Sequence, residues 1–154
     1  MTYGFAIILV LAGISAMAYF GILSPSKLLP ERCQFPAGMD CFDKEIKSET
    51  TVGAGDGTIT VALKNNNRGF AILITNVEIN NGDIPCIGTP QINNVDINPA
   101  TPPEILNNVA FRAKLTGCAL VKGDKISEDI IISYTNADSG LENQATGSVW
   151  GKVV

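Results

Sequence analysis

The first charged side chain in the sequence is Lys27, so residues 1 to 26 form a different material from everything after them. Within that stretch Gly4 to Leu23 reads GFAIILVLAGISAMAYFGIL, an uncharged run of aliphatic, aromatic and small side chains without proline. Twenty such residues in an α-helix would be about 30 Å long, the thickness of a bilayer's hydrocarbon core. The helix would be apolar all round, with no face built for water. Ser24-Pro25-Ser26 is expected to end it, since proline lacks the N–H and disfavours helix in the residue before it. The expectation is therefore one long apolar N-terminal α-helix over residues 1–24. A chain of 154 residues leaves room for one ordinary domain beyond that appendage.

Three fates compete for such a helix. A secretory signal peptide would offer Ala16-Met17-Ala18 as a cleavage site but needs a basic start, and nothing basic precedes the apolar run. A plain membrane anchor meets a contradiction, because the nearest basic residues, Lys27 and Arg32, follow the span. The positive-inside rule would then put the remaining domain in the cytoplasm, whereas its cysteines favour the outside. The contradiction dissolves if a basic leader precedes Met1, and residues upstream of Met1 are expected on that ground. The third fate is a helix that first sits in a membrane and later packs against copies of itself. Small residues at Gly4, Ala6, Ala12, Gly13, Ser15, Ala16, Ala18 and Gly21 suit it, since small side chains let helices approach closely. Gly4, Ala6, Ala12, Gly13, Ala16 and Gly21 are the candidate helix-packing positions.

Composition removes several functions. With 11 Lys+Arg against 15 Asp+Glu and no basic cluster, the long-range attraction to phosphate is missing, so nucleic acid is not an expected partner. There is no histidine, which takes away the commonest general base and metal ligand. The cysteines at 33, 41, 86 and 118 lack the CxxC spacing of zinc or thioredoxin-type sites and read as disulfides. Such bridges persist in an oxidising compartment, so the domain is expected outside the cytoplasm.

Met1-Thr2-Tyr3-Gly4-Phe5-Ala6-Ile7-Ile8, followed at a distance by Gly21-Ile22-Leu23-Ser24-Pro25-Ser26 and by Leu29-Pro30-Glu31-Arg32-Cys33-Gln34-Phe35-Pro36-Ala37-Gly38, resembles archaeal type IV pilins and pilin-like proteins. The match covers about the first quarter of the chain. The resemblance implies a membrane precursor, cut by a prepilin peptidase after a short basic leader and assembled by dedicated machinery through the helix into a filament. In the family a leader and Glu-Tyr-Leu come just before this methionine, so the resemblance too implies residues upstream of Met1. The four cysteines allow three pairings. Cys33 to Cys41 with Cys86 to Cys118 is the most economical, and the first of these is what the resemblance suggests. On the chain-entropy account they would be worth about 2.5 and about 4 kcal/mol.

After residue 40 the pattern turns to short alternating runs broken by turn residues, the sign of an all-β domain. Ile59, Val61 and Leu63 alternate with Thr58, Thr60 and Ala62; Val109, Phe111, Ala113 and Leu115 alternate with Ala110, Arg112, Lys114 and Thr116. Further runs are Phe42 to Lys47, Phe70 to Ile79, Ile92 to Ile97, Ser127 to Tyr134 and Ala145 to Val153. About seven strands at this spacing suggest an immunoglobulin-like sandwich, with a small barrel as the alternative. The expected organisation is a helix over 1–24, a neck over 25–41 stapled by the local bridge, and a β-sandwich over 42–154.

Catalytic machinery is hard to assemble from these residues. A Ser-His-Asp or Cys-His arrangement needs the missing histidine, and Gly53-Ala54-Gly55-Asp56-Gly57 lacks the helix start of a phosphate cradle and reads as a turn. Asp56, Asp83, Asp124 and Asp138 could each join a calcium site, but each stands alone in a turn, where Asp is a usual former. Trp150 reads either as a core residue or as a contact aromatic. No Asn-x-Ser/Thr sequon is present. The chain is expected to be no enzyme, to hold no cofactor or metal, and to act as a self-polymerising cell-surface subunit for adhesion or surface contact. A membrane-anchored, monomeric binding module is the alternative.

Overall fold

The computed structural model describes residues 2–19, 31–80 and 84–154. The chain divides into two compact units, Met1–Pro30 and Glu31–Val154. The first contains a single helix, α1, over Thr2–Tyr19. The second contains ten strands: β1 (Arg32–Gln34), β2 (Met39–Lys47), β3 (Gly57–Asn65), β4 (Ile72–Ile79), β5 (Gln91–Ile92), β6 (Val95–Asp96), β7 (Glu104–Ile105), β8 (Ala110–Cys118), β9 (Lys125–Asn136) and β10 (Glu142–Lys152).

Two features of the expected fold are corrected. The helix expected to span a bilayer over Gly4–Leu23 is not found. α1 has 18 residues, about 27 Å at the usual rise against a core of about 30 Å. Among the described residues no helix is long and apolar enough to cross a membrane. Its first turn carries no acidic and its last turn no basic residue, so no charge complements the helix dipole at either end. An apolar run reports how a segment tolerates lipid and leaves the helix length open; the expected stop at Ser24-Pro25-Ser26, like Gly21, lies outside the described residues. The second correction is that ten strands form two sheets of five, where the immunoglobulin-like reading expected about seven. The additional ones, such as Arg32–Gln34 and Glu104–Ile105, are too short to show an alternation. One consequence is that the segment from Glu31 onward, read as neck, already belongs to the β unit.

One sheet has the order β1-β10-β9-β4-β7 and the other β2-β3-β8-β5-β6, every pairing antiparallel. The successive strands β3 and β4 lie in opposite sheets, as do β8 and β9. Because β3 pairs with β8 and β4 with β9, the two crossings interlock. Between the sheets lies one core in which Ile59, Val61, Leu63, Phe111 and Leu115 from one side meet Ile72, Ile74, Ile130, Ile132 and Val149 from the other. The alternation expected for β3 and β8 holds for Ile59, Val61, Leu63, Phe111, Ala113 and Leu115, all buried, with Arg112 exposed and Lys114 half-buried on the outer face. Ala62, expected to face outward, is buried too, and Val109, expected to face inward, precedes β8 and is exposed.

Two bulges keep apolar residues pointing inward. In β4 the register slips between Ile74 and Asn76, leaving Thr75 unpaired, so that Val77 is buried and Asn76 is not. Simple alternation would have put the Asn76 amide in the core. Thr75 Oγ1 donates to the Ser133 carbonyl at 3.1 Å, which satisfies the displaced residue. In β2 a slip between Cys41 and Asp43 leaves Phe42 62% exposed and returns Ile46 to the core.

The two disulfides join Cys33 to Cys41 and Cys86 to Cys118, and there is no free cysteine among the described residues. The first ties β1 of one sheet to β2 of the other. The second locks an isolated antiparallel bridge, with Cα atoms 3.9 Å apart, onto the end of β8. Backbones this close leave no room for side chains: a Cβ on Gly117 would lie 2.6 Å from the Gly88 nitrogen, and Gly117 has φ +71°.

At the end of the sandwich away from Arg32 the loops are organised by Asn65, which is 0% exposed. Its Nδ2 donates to the carbonyls of Phe70 (2.9 Å) and Ile105 (3.0 Å), and its Oδ1 accepts from the Asn67 N–H at 3.0 Å. One buried amide thus holds the β3–β4 loop, β7 and its own turn together.

Candidate assembly surface

The described side chains of α1, Gly4 and residues 6–16, are all exposed. Among them are six large aliphatic residues, from Ile14 at 53% to Ile8 at 64% exposure, and no charge. Ser15, the polar member, donates its hydroxyl to the Leu11 carbonyl of the preceding turn at 2.7 Å, which hides its polarity within the helix. Six aliphatic side chains are worth roughly 1.5–3 kcal/mol each when fully buried, so this surface carries a large drive to leave water.

Five of the six candidate packing residues, Gly4, Ala6, Ala12, Gly13 and Ala16, lie on this exposed helix; Gly21 is outside the described residues. At about 100° per residue, Ala6 and Gly13 share one side, Ala12 and Ala16 a second, and Gly4 and Ser15 a third. Among the described residues nothing lies within 4 Å of a Cβ built on Gly4 or Gly13. Close approach is thus open on several sides of α1, as packing among several helices would need, and is not confined to one seam.

The aspartates singled out in the sequence are not brought together. Asp56 closes the β2–β3 loop on itself, accepting from the Thr50 N–H (2.8 Å) and the Thr50 hydroxyl (2.5 Å). Those hydrogen bonds hold its carboxyl below the ordinary carboxylate value, the hydroxyl contributing most. Asp124 lies in the β8–β9 turn and Asp138 in the β9–β10 turn, at opposite ends of β9; Asp83 is outside the described residues. Trp150 is half-buried on β10, beside Arg32 of β1, whose guanidinium carbon lies 5.7 Å from the ring centroid. Tyr134, also half-buried, has its phenol pushed up by burial.

Sequence reasoning did not single out a charged trough of about 610 Å³ on the outer face of the β2-β3-β8-β5-β6 sheet. Asp43 and Glu45 form one rim, Arg112 and Lys114 the other, and Thr60 and Ala62 lie between. The alternation in residues 109–116 does place Arg112 and Lys114 on the outer face. Which strand faces them across the sheet is not written in that local pattern. A second hollow of about 470 Å³, beside the Cys86–Cys118 bridge, is lined by Val77, Glu78, Ile84, Pro85 and Leu115 among others.

Among the described residues no three Cys, Asp or Glu side chains converge as metal ligands. No known family model matches the chain, and no curated protein matches it.

Proposed function

We propose that this protein is a structural subunit of an extracellular filament of the archaeal type IV pilus kind, polymerising through α1 and serving adhesion or surface contact. The observation that carries the reading is the helix: its described side chains are exposed, uncharged and apolar on every side, while the β unit has a complete core of its own. A surface of that kind is satisfied by an apolar environment, and copies of the same helix supply one with small residues at the contacts. The two disulfides suit a β unit that faces an oxidising exterior. The partners in this reading are other copies of the chain, with a processing peptidase and assembly machinery acting beforehand.

The test is negative-stain microscopy of material sheared from the cell surface, with mass spectrometry of the purified filaments. Filaments containing this chain as their main component are expected. Sheared material without the chain, with the protein retained in the envelope as a monomer, would count against a filament and for an anchored binding module.

A further inference from the structure

The charged trough on the β2-β3-β8-β5-β6 sheet has an arrangement that a random charged face lacks. In the sheet register Glu45 is opposite Thr60, and Thr60 opposite Lys114; Asp43 is opposite Ala62, and Ala62 opposite Arg112. Each acid therefore shares a row with one base, two strand spacings away, roughly 9.5 Å across the sheet. Among the described residues neither row is closed by an ion pair. Among the described residues the ion pairs of this face come down to Glu45 with Lys47 at 3.1 Å, on two side chains more than half exposed. Among the described residues Arg112 and Lys114 take part in no ion pair, and Asp96, which also shares the Lys114 row, accepts from the Gln91 amide between them.

We propose that this face is a docking surface for a second copy of the same chain. A twofold axis running along β3, between the two rims, brings the acidic rim of one copy over the basic rim of the other. The strands stay aligned, as in ordinary packing of one sheet on another. Because acid and base share rows, the rotation sets Glu45 of each copy against Lys114 of the other, and Asp43 against Arg112, four cross-pairs from one operation. Lys47 does not compete, since a carboxylate can accept from two cations at once. Thr60 and Ala62 are small enough to let the rims of both copies meet. The charge complementarity thus selects the partner: a uniformly acidic or basic ligand would meet one favourable rim and one repulsive rim, whereas an identical face satisfies both.

A twofold contact closes on itself and cannot propagate a polymer. On the filament reading given above, it joins subunits of neighbouring filaments and acts as a bundling contact. Exposed ion pairs are individually weak and screened by salt, which suits a contact that is reversible between two subunits and strong only when many repeat side by side.

The test uses the full chain in mild detergent, followed by sedimentation velocity across a salt series. One variant carries Asp43→Lys and Glu45→Lys, so that both rims carry bases; the other carries Arg112→Glu and Lys114→Glu, so that both rims carry acids. The parent is expected to pair at low ionic strength, and to pair about tenfold more weakly or worse in high salt. Each variant alone is expected not to pair by this face, and the equimolar mixture to regain pairing. Association through α1 is common to all samples and cancels from the comparison. A mixture no more associated than its separate components, or a parent indifferent to salt and charge reversal, overturns the proposal. Filament formation is scored separately by microscopy. Filaments whose bundling ignores both variants refute the bundling role and leave the helix-driven reading standing; rim pairing without any filaments leaves the docking surface standing and refutes the filament reading, and the bundling role with it.

Discussion

Gly13→Leu isolates helix packing from every other property of α1. Among the described residues nothing lies within 4 Å of the position where the new side chain begins. Leu is a better helix former than Gly by about 0.8–1 kcal/mol, but α1 is helical both before and after assembly, so this gain cancels from the polymerisation equilibrium. What remains is the cost of extra bulk where two helices touch closely, about 1–3 kcal/mol per contact. At about 2 kcal/mol the concentration needed for assembly rises roughly thirtyfold, and every subunit added incurs the same penalty. Ala16→Leu tests a second side of the helix, and Leu9→Ile, which keeps volume and hydropathy, is the control. The expected outcome is that both bulky variants are made and disulfide-bonded, with undiminished helical circular dichroism, yet yield few filaments in sheared fractions, while Leu9→Ile is nearly silent. Normal filaments from both bulky variants would refute tight packing at Gly13 and Ala16.

Asn65→Leu leaves the carbonyls of Phe70 and Ile105 and the N–H of Asn67 without their buried partner; a loss of about 2–4 kcal/mol is expected, read as a lower melting temperature by calorimetry. Asp56→Asn keeps one acceptor oxygen but removes the charge and the second of the two oxygens that accept from Thr50. Since the folded Asp56 carboxyl sits below its ordinary value, its stabilisation is present at neutral pH and is lost as pH falls through the folded value. The gap in thermal stability between parent and Asp56→Asn should therefore narrow in strong acid. Replacing Cys86 and Cys118 together by Ser opens a loop with a sequence separation of 32, against 8 for Cys33 and Cys41. Denaturant titration should show the larger loss for the longer loop, about 4 against about 2.5 kcal/mol.

The parts of this protein legible in its sequence are those set by local chemistry. An uncharged run up to Lys27 dictates a helix without a water-seeking face, and the alternation through residues 58–63 and 109–116 dictates two half-buried strands, because side-chain direction in a strand depends only on parity. Four cysteines without metal-ligand spacing dictate disulfides, and one economical pairing matched the bridges found. The tertiary structure decided whatever depends on residues far apart in the chain. Parity failed at Thr75 and Phe42, where an extra residue re-phases the strand so that Val77 and Ile46 reach the core; what fixes a bulge is the neighbouring strand, tens of residues away. Asn65, a turn former by its local surroundings, became a buried organiser because Ile105, forty residues on, brings it a carbonyl. The sequence read α1 as long enough to span a bilayer because composition carries no helix length. The opposed rims of Asp43 and Glu45 against Arg112 and Lys114 exist only because β3 is paired on both sides. That adjacency comes from long-range pairing, in which a favourable register repays the entropy of closing a loop, and no local pattern records it.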